Sequence, residues 1–315
     1  MQNRYRLLPV LKDDGLLVLT AAIWGLAFVA QRIGMRYLGP FTFNGVRFAL
    51  GSLSLLPLWL VKGEHSGEKI EGTTKTKQPE QAKRFGSLLL YGLIAGSVLF
   101  VGASLQQIGI IYTTAGKAGF ITGLYVVLVP LSGLLWGQKP GWGRWLGAIL
   151  TVTGLYFLSV RENFTIARGD FLVFLSAFFW AAHVQVIGWL SPKVSAVKLA
   201  TVQFAVCSTL SLITAFSTEP VSLAGITSAA MPIFYGGIFS VGIAYTLQVV
   251  AQKKAQPTHA AIIMSLEGVF AVLGGWVFLG ESLSPRNILG CVLMLTGMIF
   301  AQITLIYKKR KKVQP

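Results

Sequence analysis

A chain of 315 residues that is 54% hydrophobic and only 12% charged has too few charges to solvate a globular surface, for which about 25% is usual. Its mean hydropathy of +0.66, with 35 glycines, excludes a soluble enzyme, a secreted disulfide scaffold and a disordered tail, and leaves a polytopic membrane protein. A formal net charge of +16 would suggest nucleic acid as partner in a soluble protein; here it reads as a topology signal, and no nucleic acid is expected.

A membrane helix needs about 20 mostly apolar residues. Ten such runs follow one another near 15–33, 40–61, 86–108, 113–136, 142–160, 170–190, 196–216, 230–251, 257–279 and 286–307. The first run is too long for a signal peptide and lacks a small-residue cleavage site. Residues 1–14 read as a cytoplasmic segment and 308–315 as a basic cytoplasmic tail. The polar stretch 62–84 has no hydrophobic period and is expected to be a disordered loop. With the N-terminus inside, the cytoplasmic segments hold 20 Lys and Arg and the outside links hold 5. Basic short loops stay in the cytoplasm, so both termini are expected there. Cys207 and Cys291 lie within spans as small fillers, with no disulfide implied.

The two halves repeat. LLVLTAAIW, ending at Trp24, aligns with LVFLSAFFW, ending at Trp180. LGAILTVTG (Leu146 to Gly154) matches LGCVLMLTG (Leu289 to Gly297), and Gly137 falls on Gly280 in the same register. Each unit has an odd number of spans, so the second copy lies upside down relative to the first. The expected fold is all-α: ten transmembrane helices in two inverted five-helix repeats, 15–160 and 170–307, with both termini cytoplasmic. Inverted repeats are a recurring plan of secondary transporters, whose substrate site lies near mid-membrane between the halves.

Three segments resemble the EamA-like transporters of the drug/metabolite transporter superfamily: IWGLAFVAQRIGMRYLGPFTFNGVRFALG, AGKAGFITGLYVVLVP and SLEGVFAVLGGWVFLGESLSPRNILGCVLMLTG. Gly268 stands where many relatives have proline after the glutamate. The resemblance implies a ten-helix permease, often an exporter of amino acids or other small metabolites. It also implies a cavity lined by spans one, three, four, six, eight and nine.

Ionisable side chains inside hydrocarbon are costly and mark functional candidates. Glu267, midway along span nine, is a candidate for proton coupling or for contact with a substrate amine or hydroxyl; the alternative is a carboxylate that holds neighbouring groups in place. Lys117 in span four is a candidate at the cavity mouth, against a snorkelling stem. Arg47 reads as a structural anchor in span two, outside the cavity. His183 shares a helical face with Trp180, and packing competes there with a site role. Gln106 and Gln248 suit a polar belt at mid-membrane, with Gln31, Gln107, Gln185 and Tyr245 as further polar groups that need internal partners or a wet cavity. Trp24, Phe28 and Trp180 would give the chamber aromatic walls fitted to a small amphipathic metabolite. Pro130 suggests a kink in span four. Ser284 and Pro285 read as the N-cap and first turn of span ten, which makes Glu281 structural.

No metal-ligand spacing and no phosphate-binding G-x-x-x-x-G-K-[ST] loop occur, so neither metal, cofactor nor ATP is expected. The expectation is a secondary or facilitative carrier of a small organic metabolite in the cell membrane, directed outward, as a monomer or homodimer within the lipid bilayer. A bilayer enzyme or a channel are the alternatives. The first would need clustered catalytic groups and the second a symmetric filter.

Overall fold

The computed structural model describes residues 2–64, 77–132, 142–159, 167–253, 257–282 and 284–311. Among these the structure is almost entirely helical, with no strand. That follows from the solvent: hydrocarbon offers no partners to backbone N–H and C=O groups, so each apolar run must satisfy its own. The first half comprises α1 (Gln2–Gly34), α2 (Pro40–Glu64), α3 (Lys77–Gly109), α4 (Ala115–Thr122), α5 (Tyr125–Ser132) and α6 (Trp142–Ser159). The second comprises α7 (Arg168–Leu190), α8 (Ala196–Thr218), two short helices, α9 (Leu223–Ser228) and α10 (Ala230–Phe234), a π-helical segment (Tyr235–Tyr245), α11 (Thr246–Gln252), α12 (Pro257–Met264), α13 (Glu267–Leu279) and α14 (Pro285–Lys311). Among the described residues, five stretches are long and apolar enough to cross a membrane: Asp14–Gly34, Phe85–Gly109, Arg168–Leu190, Ala196–Thr218 and Ala230–Gln252. Ala115–Val129, Trp145–Gly154 and Glu267–Leu279 are shorter apolar helices. The exterior is studded with exposed Leu60, Phe216, Trp276 and Phe278, a surface that only lipid solvates well.

Several sequence expectations change. Helix α1 starts well before residue 15, and α2 and α3 take over both ends of the stretch 62–84; its middle, 65–76, lies outside the described residues. Once nucleated, a helix propagates one hydrogen bond per residue and does not stop where hydrophobicity stops. Spans four and nine are each interrupted by a tightened turn. At the first, Leu124 N–H donates to Ile121 O at 3.1 Å and Val126 N–H to Gly123 O at 3.0 Å. At the second, Leu266 N–H donates to Ile263 O at 3.2 Å and Gly268 N–H to Ser265 O at 3.2 Å. These i→i+3 bonds are local 3₁₀ geometry. In the register that sets Gly154 on Gly297, Gly123 falls on Leu266, so the two interruptions are repeat-equivalent. The turn in span four therefore lies well before Pro130, where the sequence suggested a kink.

Helix packing keeps the same pattern when the halves are exchanged. Helix α3 packs on α7 and α8, as the π segment packs on α1 and α2. Helix α4 packs on α7, as α13 packs on α1; α2 meets α8, α4 meets α13, and α6 meets α14. Small residues permit these approaches. A methyl group on Gly154 would lie 2.5 Å from Gly290 O, and one on Gly297 would lie 2.6 Å from Gly147 O, the same contact seen from the two repeats. Gly96 closes similarly on Gln203 O, at 2.7 Å.

Two carboxylates from distant positions cap helix N-termini. Glu219 accepts from Phe41 N–H and Thr42 N–H, both at 2.8 Å, and from Thr42 Oγ1 at 2.6 Å. Glu281 accepts from Ala115 N–H at 2.7 Å and Gly116 N–H at 3.0 Å. Each satisfies donors that a helix start leaves orphaned and places negative charge at the positive end of the dipole. Gly280 makes the bend before Glu281 with φ of 65°, the left-handed conformation that glycine adopts without penalty. Ser284 caps α14, accepting from Asn287 N–H at 3.2 Å.

Candidate functional site

The face of α1 that carries Trp24, Ala27, Phe28 and Gln31 follows the i, i+3, i+4, i+7 spacing of one helical stripe, and it lines a chamber inside the bundle. Trp180, His183 and Val184 do the same from α7. Thr122 and Tyr125 flank the tightened turn of span four, and Glu267 opens the helix after the turn of span nine. Ser240 and Tyr245 come from the π segment and Gln248 from α11. Both helix interruptions and the π segment therefore meet at one place. Wide or tightened turns shift side chains and carbonyls out of regular register, and they recur at functional sites of membrane proteins.

Gln106 is the polar hub. Its Nε2 donates to Gln31 Oε1 at 3.0 Å, while its Oε1 accepts from Trp180 Nε1 at 2.8 Å and from Thr122 Oγ1 at 3.3 Å. One amide thereby ties α1, α3, α4 and α7. Tyr245 is the aromatic hub. Its ring lies 4.6 Å from Trp24, 5.8 Å from Phe204, 6.0 Å from His183 and 6.2 Å from Trp180, centroid to centroid. Trp24 Nε1 donates to Ser240 O at 3.2 Å, and His183 Nε2 lies 3.0 Å from Gln203 Oε1. Gln248 Oε1 is buried without a hydrogen-bond partner among the described residues, and the buried Glu267 carboxyl and Tyr125 hydroxyl lie beside one another. The rings leave a free volume of only about 30 Å³, room for a few waters and too little for a metabolite in this conformation.

The structure thus brings together Trp24, Phe28, Gln106, Trp180, His183, Tyr245, Gln248 and Glu267. Lys117 stands apart. Its Nζ pairs with Asp170 Oδ2 at 3.3 Å, and Asp170 also accepts from Thr113 Oγ1. A buried carboxylate one helix away has captured the ammonium, which draws Lys117 off the chamber. Gln185 is likewise engaged elsewhere, donating to Val129 O at 3.0 Å and Ser132 Oγ at 2.9 Å.

Arg47 corrects the reading in the opposite direction. Expected outside the cavity, it lines the chamber and is only 2% exposed. Span two approaches closely because Gly236 and Gly237 of the π segment lie beneath it; a methyl group on Gly237 would meet Arg47 O at 3.0 Å. Thr122, Tyr125 and Ser240 were also missed. Threonine, tyrosine and serine within otherwise apolar runs were the only sequence signal, and it does not distinguish a lining residue from an interhelical bond.

Comparison with known proteins agrees with this architecture. The chain matches the EamA-like transporter family over residues 12–160 and again over 167–302. A relative in Archaeoglobus fulgidus, named an uncharacterized transporter, is 32% identical over 91% of this chain and 84% of its own length. A WAT1-related chloroplastic protein of Arabidopsis thaliana is 26% identical over 87% of this chain and 66% of its own. A solved crystal structure with 18% sequence identity superposes with a TM-score of 0.65, covering 93% of this chain and 97% of the other; it speaks for the fold alone. With two family matches that together span nearly its whole length, this multi-pass membrane protein belongs to the EamA-like transporter family of the drug/metabolite transporter superfamily.

Proposed function

We propose that this transporter is an alternating-access carrier of a small organic metabolite, such as an amino acid or a related compound. In this reading ten membrane passes form two inverted repeats, 15–160 and 170–307, with both termini in the cytoplasm of a cell whose inner membrane it spans. The observation that supports it most is the meeting of two repeat-equivalent helix interruptions at a narrow, aromatic-walled chamber. Inverted repeats exchange conformations about a fixed central site, and discontinuous helices at mid-membrane supply its polar groups. The basic residues support the orientation, and export is the direction that the family resemblance favours.

The lining residues Trp24, Phe28, Gln106, Trp180, His183, Tyr245 and Gln248 would contact the substrate. Glu267 would couple transport to proton exchange, as the one carboxylic acid among the described lining residues. The family and the Archaeoglobus fulgidus relative are named transporters, and on that ground we read it as a carrier and not as an enzyme.

The test has two stages. Metabolite profiling of cells and medium after overexpression identifies what moves, and counterflow in proteoliposomes then measures it. A carrier exchanges label and saturates; a pore does neither. Glu267→Gln should abolish the pH dependence of transport while leaving a folded protein, and a variant with unchanged pH dependence removes the coupling role.

A further inference from the structure

Arg47 is a buried cation at membrane depth, where a charge needs a partner. Among the described residues it donates one hydrogen bond, from Nε to Asn44 Oδ1 at 3.0 Å, and no carboxylate lies within ion-pairing distance of it. Asn44 is itself fixed, its Nδ2 donating to Ala103 O at 3.1 Å. The guanidinium lies over Phe48, with Cζ 4.9 Å from the ring centroid, and beside Phe43 at 5.6 Å. One edge of the planar fork is therefore oriented by Asn44 and one face is covered by rings. The outer nitrogens, which form the edge that matches an oxyanion in a bidentate manner, have no hydrogen bond among the described residues. Arg47 lines the same chamber as Glu267. The chamber thus presents a preorganised cation that the protein's own carboxylates leave unneutralised.

We propose that Arg47 is the anion-binding residue of the transport site, and that the substrate is an organic carboxylate whose carboxylate end seats on the guanidinium. This deepens the carrier reading and rests on it. A single guanidinium matches one carboxylate; a phosphate dianion would call for further cations, and Arg47 is the only Arg or Lys among the described lining residues, His183 being engaged with Gln203. The rings of Trp24, Tyr245 and Trp180 suit an apolar body attached to that carboxylate.

The experiment uses the purified full-length protein in nanodiscs and four probes that share one phenyl ring: 3-phenylpropionate, L-phenylalanine, L-phenylalaninamide and phenethylamine. Thermal stabilisation and tryptophan fluorescence report binding. The carboxylate-bearing probes should bind at least about 30-fold more tightly than the amide and the amine. Arg47→Gln should abolish that preference and Arg47→Lys should retain part of it. If Arg47→Gln does not fold, the wild-type comparison of L-phenylalanine with its amide decides alone. Equal binding of acid and amide, or no carboxylate-dependent shift at millimolar concentration, overturns the proposal. Counterflow without carboxylate preference would leave the carrier standing and remove the anion site, whereas carboxylate preference without counterflow would do the reverse.

Discussion

Truncating Gln106 would strand more than its own volume. The Trp180 indole N–H and the Thr122 hydroxyl would lose their acceptor, and Gln31 would lose a donor. A buried donor left unpaired costs about 1–3 kcal/mol, so Gln106→Ala should lower unfolding stability in detergent by that amount. Adding Trp180→Phe to Gln106→Ala should recover part of the loss, because removing both partners of a bond is cheaper than removing one; thermal unfolding of the four proteins closes the cycle. Glu281 gives a second case. Both of its oxygens serve the start of α4, and Glu281→Ala should cost about 1–2 kcal/mol, with Glu281→Gln intermediate because one acceptor survives. At this scale the sequence pointed to Gln106, His183, Gln248 and Glu267 because each is a polar side chain within an apolar run, a signal that Lys117 and Gln185 share without lining the chamber. It failed where the decisive fact was a partner far along the chain. Asp170 captures Lys117 across 53 positions, and the glycines that bring Arg47 to the chamber belong to another repeat.

Helices α6 and α14 interlock through one contact made twice, Gly154 on Gly290 and Gly297 on Gly147. Each backbone leaves no room for a larger residue, and overpacking such a contact typically costs about 1–3 kcal/mol. Gly154→Val and Gly297→Val should therefore lower the melting temperature of the purified protein by similar amounts, whereas Gly15→Val, where nothing lies within 4 Å, should be neutral. Unequal effects of the first two would argue against the packing symmetry. The repeat that underlies it was readable from LGAILTVTG and LGCVLMLTG, because close helix approach dictates small residues at fixed spacing. The interruptions were not readable. Gly123 and Leu266 both keep right-handed helical dihedrals, with φ of −54° and −58°, so neither position needs a residue that announces a break. The π segment YGGIFSVGIAY is equally silent, since one extra residue per turn changes hydrogen-bond partners without changing the hydrophobic pattern.

The strongest ties between elements gather where α1 ends. Glu219 holds the start of α2, Glu281 holds the start of α4, and Asp170 holds Lys117 and Thr113. Arg32 donates to Ile110 O at 2.7 Å and Ile111 O at 2.6 Å. On the opposite side Gln185 donates to Val129 O and Gln252 to Val184 O. Charge-assisted bonds are roughly twice as strong as neutral ones, so the charged ties hold the helix ends together firmly on the side where α1 ends. Under the alternating-access reading proposed above, opening toward that side has to break these ties. Weakening them by about 1 kcal/mol per tie shifts a two-state population roughly fivefold for each tie removed. The combined Glu219→Gln and Asp170→Asn variant should therefore expose the chamber more often to the side where α1 ends. With Cys207 and Cys291 replaced by alanine, a reporter cysteine at Ser240 measures that exposure through its labelling rate with a membrane-impermeant maleimide. The rate should rise roughly 25-fold in the double variant if the two ties act independently. Labelling from that side that does not change, while the protein remains folded, would mean that these ties stabilise the bundle without gating it.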